Sequence, residues 1–147
     1  MEKTLYNNLW ANRLLKNPNE IAIFEDNLAK LAESFNENDI IELCQILDDK
    51  TDNSEVMFGI IHLLETLSTE QAFINTVIGV VKLKSMSPEW ANIIIYRCLN
   101  DEYCVRMIRE IYVTLDNEIR TEFSELLKEI KRQDYEIFGK AVSEIIY

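Results

Sequence analysis

Apolar residues recur along this chain at the three-and-four spacing of a helix face, from the first third to the last residues. Ile21, Phe24, Leu28, Leu31 and Phe35 share one side of a helix, and Ile40, Leu43, Cys44 and Leu47 share one side of the next. Cys104, Met107, Ile108, Ile111, Tyr112 and Leu115 make a further stripe, with Arg106, Arg109 and Glu110 outside it. Ile119, Phe123, Leu126, Leu127 and Ile130 repeat the pattern, and Phe138, Ala141, Val142 and Ile145 close the chain. The spacing predicts about nine helices joined by short loops.

The breaks between stripes carry capping chemistry. Asn17-Pro18-Asn19 divides the first two helices, Asn36 to Asp39 offers caps for the third, and Asn53 or Ser54 ends the loop that begins at Asp48. Ser68-Thr-Glu-Gln71 has the form of a capping box, and Ser87-Pro88 puts proline at a first helical position, where its missing N–H is harmless. Asn100 or Asp101 is placed to cap the following helix. Gly59, Gly79 and Gly139 fall inside predicted helices. Each costs up to about 1 kcal/mol relative to alanine there, so each marks close helix contact.

Laying residues 55–67 over residues 89–101 matches Glu55 with Glu89, Ile60 with Ile94, Ile61 with Ile95, His62 with Tyr96 and Leu64 with Cys98. A repeat of roughly 34 residues is what stacked helix pairs produce, each pair burying its apolar face on the next. The expected fold is therefore all-α, with antiparallel helix pairs stacked as a small HEAT-like α-solenoid. An irregular helical bundle is the alternative. With three Gly, two Pro and no Ser- or Gly-rich linker, residues 1–147 read as one helical domain.

Composition narrows the function. No apolar run approaches the roughly 18–20 residues needed to span a bilayer, and the first ten residues show no cationic stretch followed by an apolar one. Cytoplasm is the expected location, with no membrane partner. Cys44, Cys98 and Cys104 are odd in number and lack C-x-x-C spacing, which suits free thiols in a reducing compartment. The formal net charge is −11, which disfavours direct nucleic-acid binding and favours a basic partner. Residues 1–55 carry 12 acidic and 5 basic side chains, whereas residues 56–100 carry 3 of each.

On the helix that begins at Pro88, a turn of 100° per residue puts Glu89, Asn92, Tyr96 and Asn100 on one edge, with Arg97 on its shoulder and Trp90 toward the core. On the helix that begins near Ser54, the same geometry gathers Glu55, Phe58, His62, Glu65 and Thr66. Parallel stacking of the two would merge these edges into one strip of aromatic, carboxylate and amide groups, a composition suited to a protein interface. Glu55, His62, Glu65, Glu89, Tyr96 and Arg97 are the expected contact residues, with Asp48, Asp49 and Asp52 as a secondary acidic loop.

Catalytic chemistry is poorly provided for. His62 is the one histidine, so a centre with several imidazoles is excluded, and no phosphate-binding loop, dinucleotide fingerprint, G-x-S-x-G or H-E-x-x-H is present. No catalytic, cofactor-binding or metal-ligating residue is expected, and no cofactor.

Two runs carry a resemblance. Glu55-Val-Met-Phe-Gly-Ile-Ile-His-Leu-Leu-Glu65 and Glu89-Trp-Ala-Asn-Ile-Ile-Ile-Tyr-Arg-Cys-Leu-Asn-Asp101, preceded by Leu43-Cys-Gln-Ile-Leu-Asp-Asp49, resemble the immunity protein 30 family of bacterial polymorphic toxin systems over roughly residues 20–130. Cys98 stands where that family pattern leads one to expect a larger aliphatic residue. The resemblance implies a cytoplasmic antitoxin that binds and blocks a cognate toxin protein, and the charge suggests a basic one such as a nuclease. A helical-repeat adaptor without a toxin partner is the alternative.

Overall fold

The computed structural model describes all 147 residues, Met1–Tyr147, as helices and short connections. In order these are α1 (Lys3–Ala11), α2 (Pro18–Ala32), a 3-10 turn (Glu37–Asp39), α3 (Ile40–Cys44), α4 (Ser54–Leu64), α5 (Glu70–Lys84), α6 (Pro88–Leu99), α7 (Glu102–Tyr112), α8 (Asn117–Gln133) and α9 (Tyr135–Ile146). The all-α class is what the apolar spacing predicts.

Local capping accounts for half of the starts. The Glu20 amide donates to Asn17 Oδ1 at 2.9 Å, just ahead of Pro18 in the first turn of α2. The Val56 amide donates to Asn53 Oδ1 at 3.1 Å, and the Tyr103 amide to Asp101 Oδ1 at 2.9 Å. Asn36 and Asp39 make a reciprocal capping box around the 3-10 turn. Two expectations shift. The cap of α5 is Thr69, not Ser68, with the Ala72 amide donating to its hydroxyl at 3.1 Å. Helix α3 is only five residues long, because the amides of Gln45, Ile46 and Leu47 each donate to the carbonyl three residues back and tighten the chain out of α geometry. Ile46 and Leu47 are buried all the same.

Consecutive helices pack as pairs, α1 on α2 and α5 on α6, while alternate helices in the chain run in the same direction. Phe58 meets Trp90 near the starts of α4 and α6, and Glu65 meets Arg97 near their ends. On the other layer, Asn75 Nδ2 donates to the Glu37 carbonyl at 2.8 Å and Gln45 Nε2 to the Gly79 carbonyl at 3.5 Å, so α3 and the turn before it run parallel to α5. Gly79 allows this approach: a Cβ there would lie 2.7 Å from Cys44 Sγ and 3.1 Å from its Cβ. Helices α8 and α9 form an antiparallel hairpin, tied by Lys131 Nζ to Ser143 Oγ at 2.9 Å, that packs across α5, α6 and α7. One apolar cluster of 36 buried residues joins all nine helices.

Candidate functional site

The α4–α6 edge brings together part of the expected strip. Phe58 and Trp90 pack edge to face, with ring centroids 5.2 Å apart. Arg97 forks onto Glu65, its Nε 2.9 Å from Oε2 and its Nη2 2.7 Å from Oε1, and its guanidinium lies 6.0 Å from the Phe58 ring centre. Hydrogen bonding to Glu65 raises the Arg97 pKa above its ordinary value. Both side chains remain more than 40% exposed, so water screens the pair and its contribution to stability is below about 1 kcal/mol. The contact register is 32 residues, not the 34 of the sequence match. Equivalent residues of the two segments therefore do not face each other; the far edge of α4 meets the near edge of α6.

Tyr96 is not on a shared strip with His62, and this corrects the expected arrangement. Its ring lies flat on Phe138 of α9, centroids 5.0 Å apart and planes within 3°. Burial there, together with the charges of Asp134 and Glu129, raises the phenol pKa. His62 and Glu55 are exposed on α4, and Glu89 is exposed at the start of α6. Helix α9, distant in sequence, covers the Tyr96 part of α6.

The acidic loop works inside the fold. Asp49 accepts from the Glu89 amide at 3.0 Å and the Trp90 amide at 3.1 Å, capping α6 from 40 residues away where Ser87 makes no side-chain cap. Asp48 accepts from Arg13 Nε at 3.1 Å, and its carbonyl accepts from Trp90 Nε1 at 3.1 Å. Asp52 is exposed, with its amide donating to the Leu14 carbonyl at 2.8 Å. Asp48 and Asp49 thus orient the loop and Trp90, and Asp52 alone of the three presents a free carboxylate.

A feature the sequence reading missed lies on the other side of α4. There α2 and α4 border an open groove of about 580 Å³ whose floor is Leu28, Ala29, Val56 and Gly59, with Glu25, Glu55 and His62 along it. Neither Glu25 nor Glu55 has an ion-pair partner in the chain. The signal was present: Glu25, Ala29 and Ala32 share one edge of α2, and small side chains there leave a channel beside Gly59.

No group of three or more His, Cys, Asp or Glu side chains is placed to hold a metal ion. Burial pushes the Cys44 thiol up to about 12; the hydrogen bond between Cys98 and Cys104, with burial added, pushes Cys98 up, and the same bond pulls Cys104 down, so Cys44 and Cys98 are not activated nucleophiles. No helix is long and apolar enough to cross a membrane. What α4 offers is a surface.

Comparison with known families settles the class: immunity protein 30 matches residues 11–108, two thirds of the chain. The chain belongs to the immunity protein 30 family. Membership implies a toxin as partner and an inhibitory rather than catalytic role. No curated protein and no solved structure matches the chain. The part matched to the immunity family runs from the end of α1 into α7, so the α2–α4 groove and the α4–α6 edge lie within it, whereas α8 and α9 lie beyond it.

Proposed function

We propose that this immunity protein neutralises a cationic toxin by direct contact through the face around α4, acting as one domain in the cytoplasm with no chemistry of its own. Helices α2 to α7 serve as a short HEAT-like array that holds this face rigid. The observation that carries the reading is the unpaired acidic rim of an apolar groove: Glu25 and Glu55 flank Leu28, Ala29 and Gly59, and no cation of the chain meets either carboxylate. His62 and the Glu65–Arg97 pair extend the surface toward α6, with Glu89 and Asp52 at its margin.

With a formal charge of −11, the chain would attract a basic partner from a distance and speed encounter. Nucleases suit this description, since a cleft that holds nucleic-acid phosphates must be basic. The test is association of the chain with the toxin encoded beside it, followed by stopped flow at rising salt. Association should slow by about tenfold or more between low and high salt, and Glu25→Lys with Glu55→Lys should slow it comparably while leaving helicity intact. Salt-independent association, or full protection of cells by the double variant, would place the contact elsewhere.

A further inference from the structure

We propose that the space bounded by α4, α5, α6 and α7, and closed beneath by α8 and α9, is a binding site for a small apolar molecule with a neutral or amine-bearing end. The cavity measures about 440 Å³, and Val77, Val80, Ile94, Ile95, Phe123 and Leu127 form its walls. Ligand pockets span roughly 300–1,000 Å³ and are mostly apolar.

Val77, Val80 and Leu127 in the walls are 2%, 1% and 0% exposed, while Phe73, Ile94 and Leu99 of the same lining keep 9%, 8% and 7%, so the space is a cleft with a dry interior and a partly wet mouth. Protein interiors rarely leave voids larger than a water molecule, and an apolar void destabilises the fold in proportion to its size. This cleft is open to solvent on one side, and the apolar walls at its mouth stay in contact with water unless something occupies it.

Its chemistry selects the occupant. The Thr76 hydroxyl in the wall already donates to the Ala72 carbonyl at 2.8 Å, and no buried polar side-chain atom of the chain lacks a partner. A polar group pushed inside would lose its water for nothing in return, so the inner part of the ligand is apolar. The rim carries Glu65, Asp101 and Arg97, and both Arg97 nitrogens that bond point at Glu65. Two carboxylates against one already paired guanidinium repel an anionic end and tolerate an ammonium. Fatty acids and phosphate esters are disfavoured; aryl-alkyl amines and alcohols fit. The site shares Glu65 and Arg97 at its rim with the proposed toxin-binding surface, whereas its apolar walls lie outside that surface.

Three probes of similar body separate the possibilities: phenethylamine, 2-phenylethanol and 3-phenylpropionate, titrated into the full chain and followed by methyl NMR shifts and by Tm. The amine and the alcohol should shift the methyls of Val77, Val80, Ile94 and Ile95 and raise Tm, with phenylpropionate at least about tenfold weaker, since one avoided like-charge contact is worth about that factor at a partly buried rim. Val80→Phe, which places a ring in the cavity, should abolish both responses, and Ile95→Phe serves if that variant does not fold. Absence of shifts with all three probes, equal binding of the carboxylate, or shifts that survive the filled cavity would overturn the proposal. So would loss of toxin neutralisation in Val80→Phe without any probe binding, which would assign the space to a side chain of the toxin.

Discussion

His62 on α4 and Tyr96 on α6 occupy matching places in two similar segments, yet His62 is exposed while Tyr96 lies under Phe138 of α9. The two helices are close in length, at 11 and 12 residues, and share their apolar pattern. What separates them is the next element along the molecule: nothing covers the outer edge of α4, whereas the α8–α9 hairpin closes over α6. A similar edge thus becomes open surface in one place and a partly buried helix contact in the other. On the function proposed above, the toxin would meet α4 and its groove with α2, and the hairpin would contribute stability rather than contact.

The sharpest test of that contrast is Phe138→Ala. Phe138 is 7% exposed and stacks on Tyr96, so removing its ring should cost about 3–5 kcal/mol, as for other buried aromatics. His62→Ala on the open helix should change stability by less than about 0.5 kcal/mol. Urea unfolding of both variants checks the pair. Similar midpoints would mean that α9 does not close α6, and the distinction between the two helices would fail. Toxin binding should show the reverse sensitivity once each variant is compared as folded protein.

Glycines sharpen the contrast from the backbone side. At Gly79 a Cβ meets Cys44 Sγ at 2.7 Å and Cys44 Cβ at 3.1 Å, and the Ile41 Cα stands only 3.7 Å away, so α3 blocks any retreat. Gly79→Ala should cost about 1–3 kcal/mol through overpacking, despite the gain in helix propensity. At Gly59 the one close neighbour is Leu28 Cδ2 at 2.9 Å, the end of a side chain bordering the open groove. Leu28 can turn aside, and the propensity gain of up to about 1 kcal/mol then leaves Gly59→Ala near neutral or stabilising. Equal losses at both glycines would show the groove to be as tightly packed as the α3–α5 contact.

Local signals were readable in the sequence, and long-range ones were not. Asn17, Asn53, Pro18 and Pro88 announced helix starts because a cap acts within one turn of itself. The parallel course of α4 and α6 was visible in the match of two segments. The contact register was not, since equivalent residues of stacked helices sit on corresponding edges rather than against each other. Asp49 read as part of an acidic contact loop because its partners are the amides of residues 89 and 90, joined to it only by the fold. Tyr96 was misplaced for the same reason: the face of a helix is legible from its own residues, but what covers that face is set by a hairpin some 40 residues on. Glu25 was overlooked because an exposed acid on an amphipathic helix is ordinary until the groove beside it is seen.

The ion pair joining α4 to α6 should matter less than either packing change. Glu65 and Arg97 are 45% and 43% exposed, and Arg97→Ala or Glu65→Gln should each shift stability by under about 1 kcal/mol, an effect that added salt diminishes. Thermal melts at low and high salt measure it. A loss above about 2 kcal/mol would mean that the fork orders the α4–α6 edge far more than an exposed pair can.

The smallest effect is a pH signature confined to Tyr96. Burial first, then the carboxylates of Asp134 and Glu129, raise its pKa above the ordinary phenol value of 10.0. For a group whose folded pKa is raised, the folded state holds its proton more tightly than the unfolded one, so the contribution to stability is complete below the unfolded pKa and is lost as pH rises through the folded pKa. Tyr96→Phe keeps the ring on Phe138 and removes the titrating hydroxyl. The difference in urea midpoint between wild type and Tyr96→Phe should therefore be constant below pH 10 and turn against the wild type above it. Other tyrosines ionise in both proteins and cancel in the difference. A difference that stays flat on both sides of that pH would mean that the phenol is solvated in spite of its stacked ring, and that α9 covers only the ring face of Tyr96 and leaves its oxygen to water.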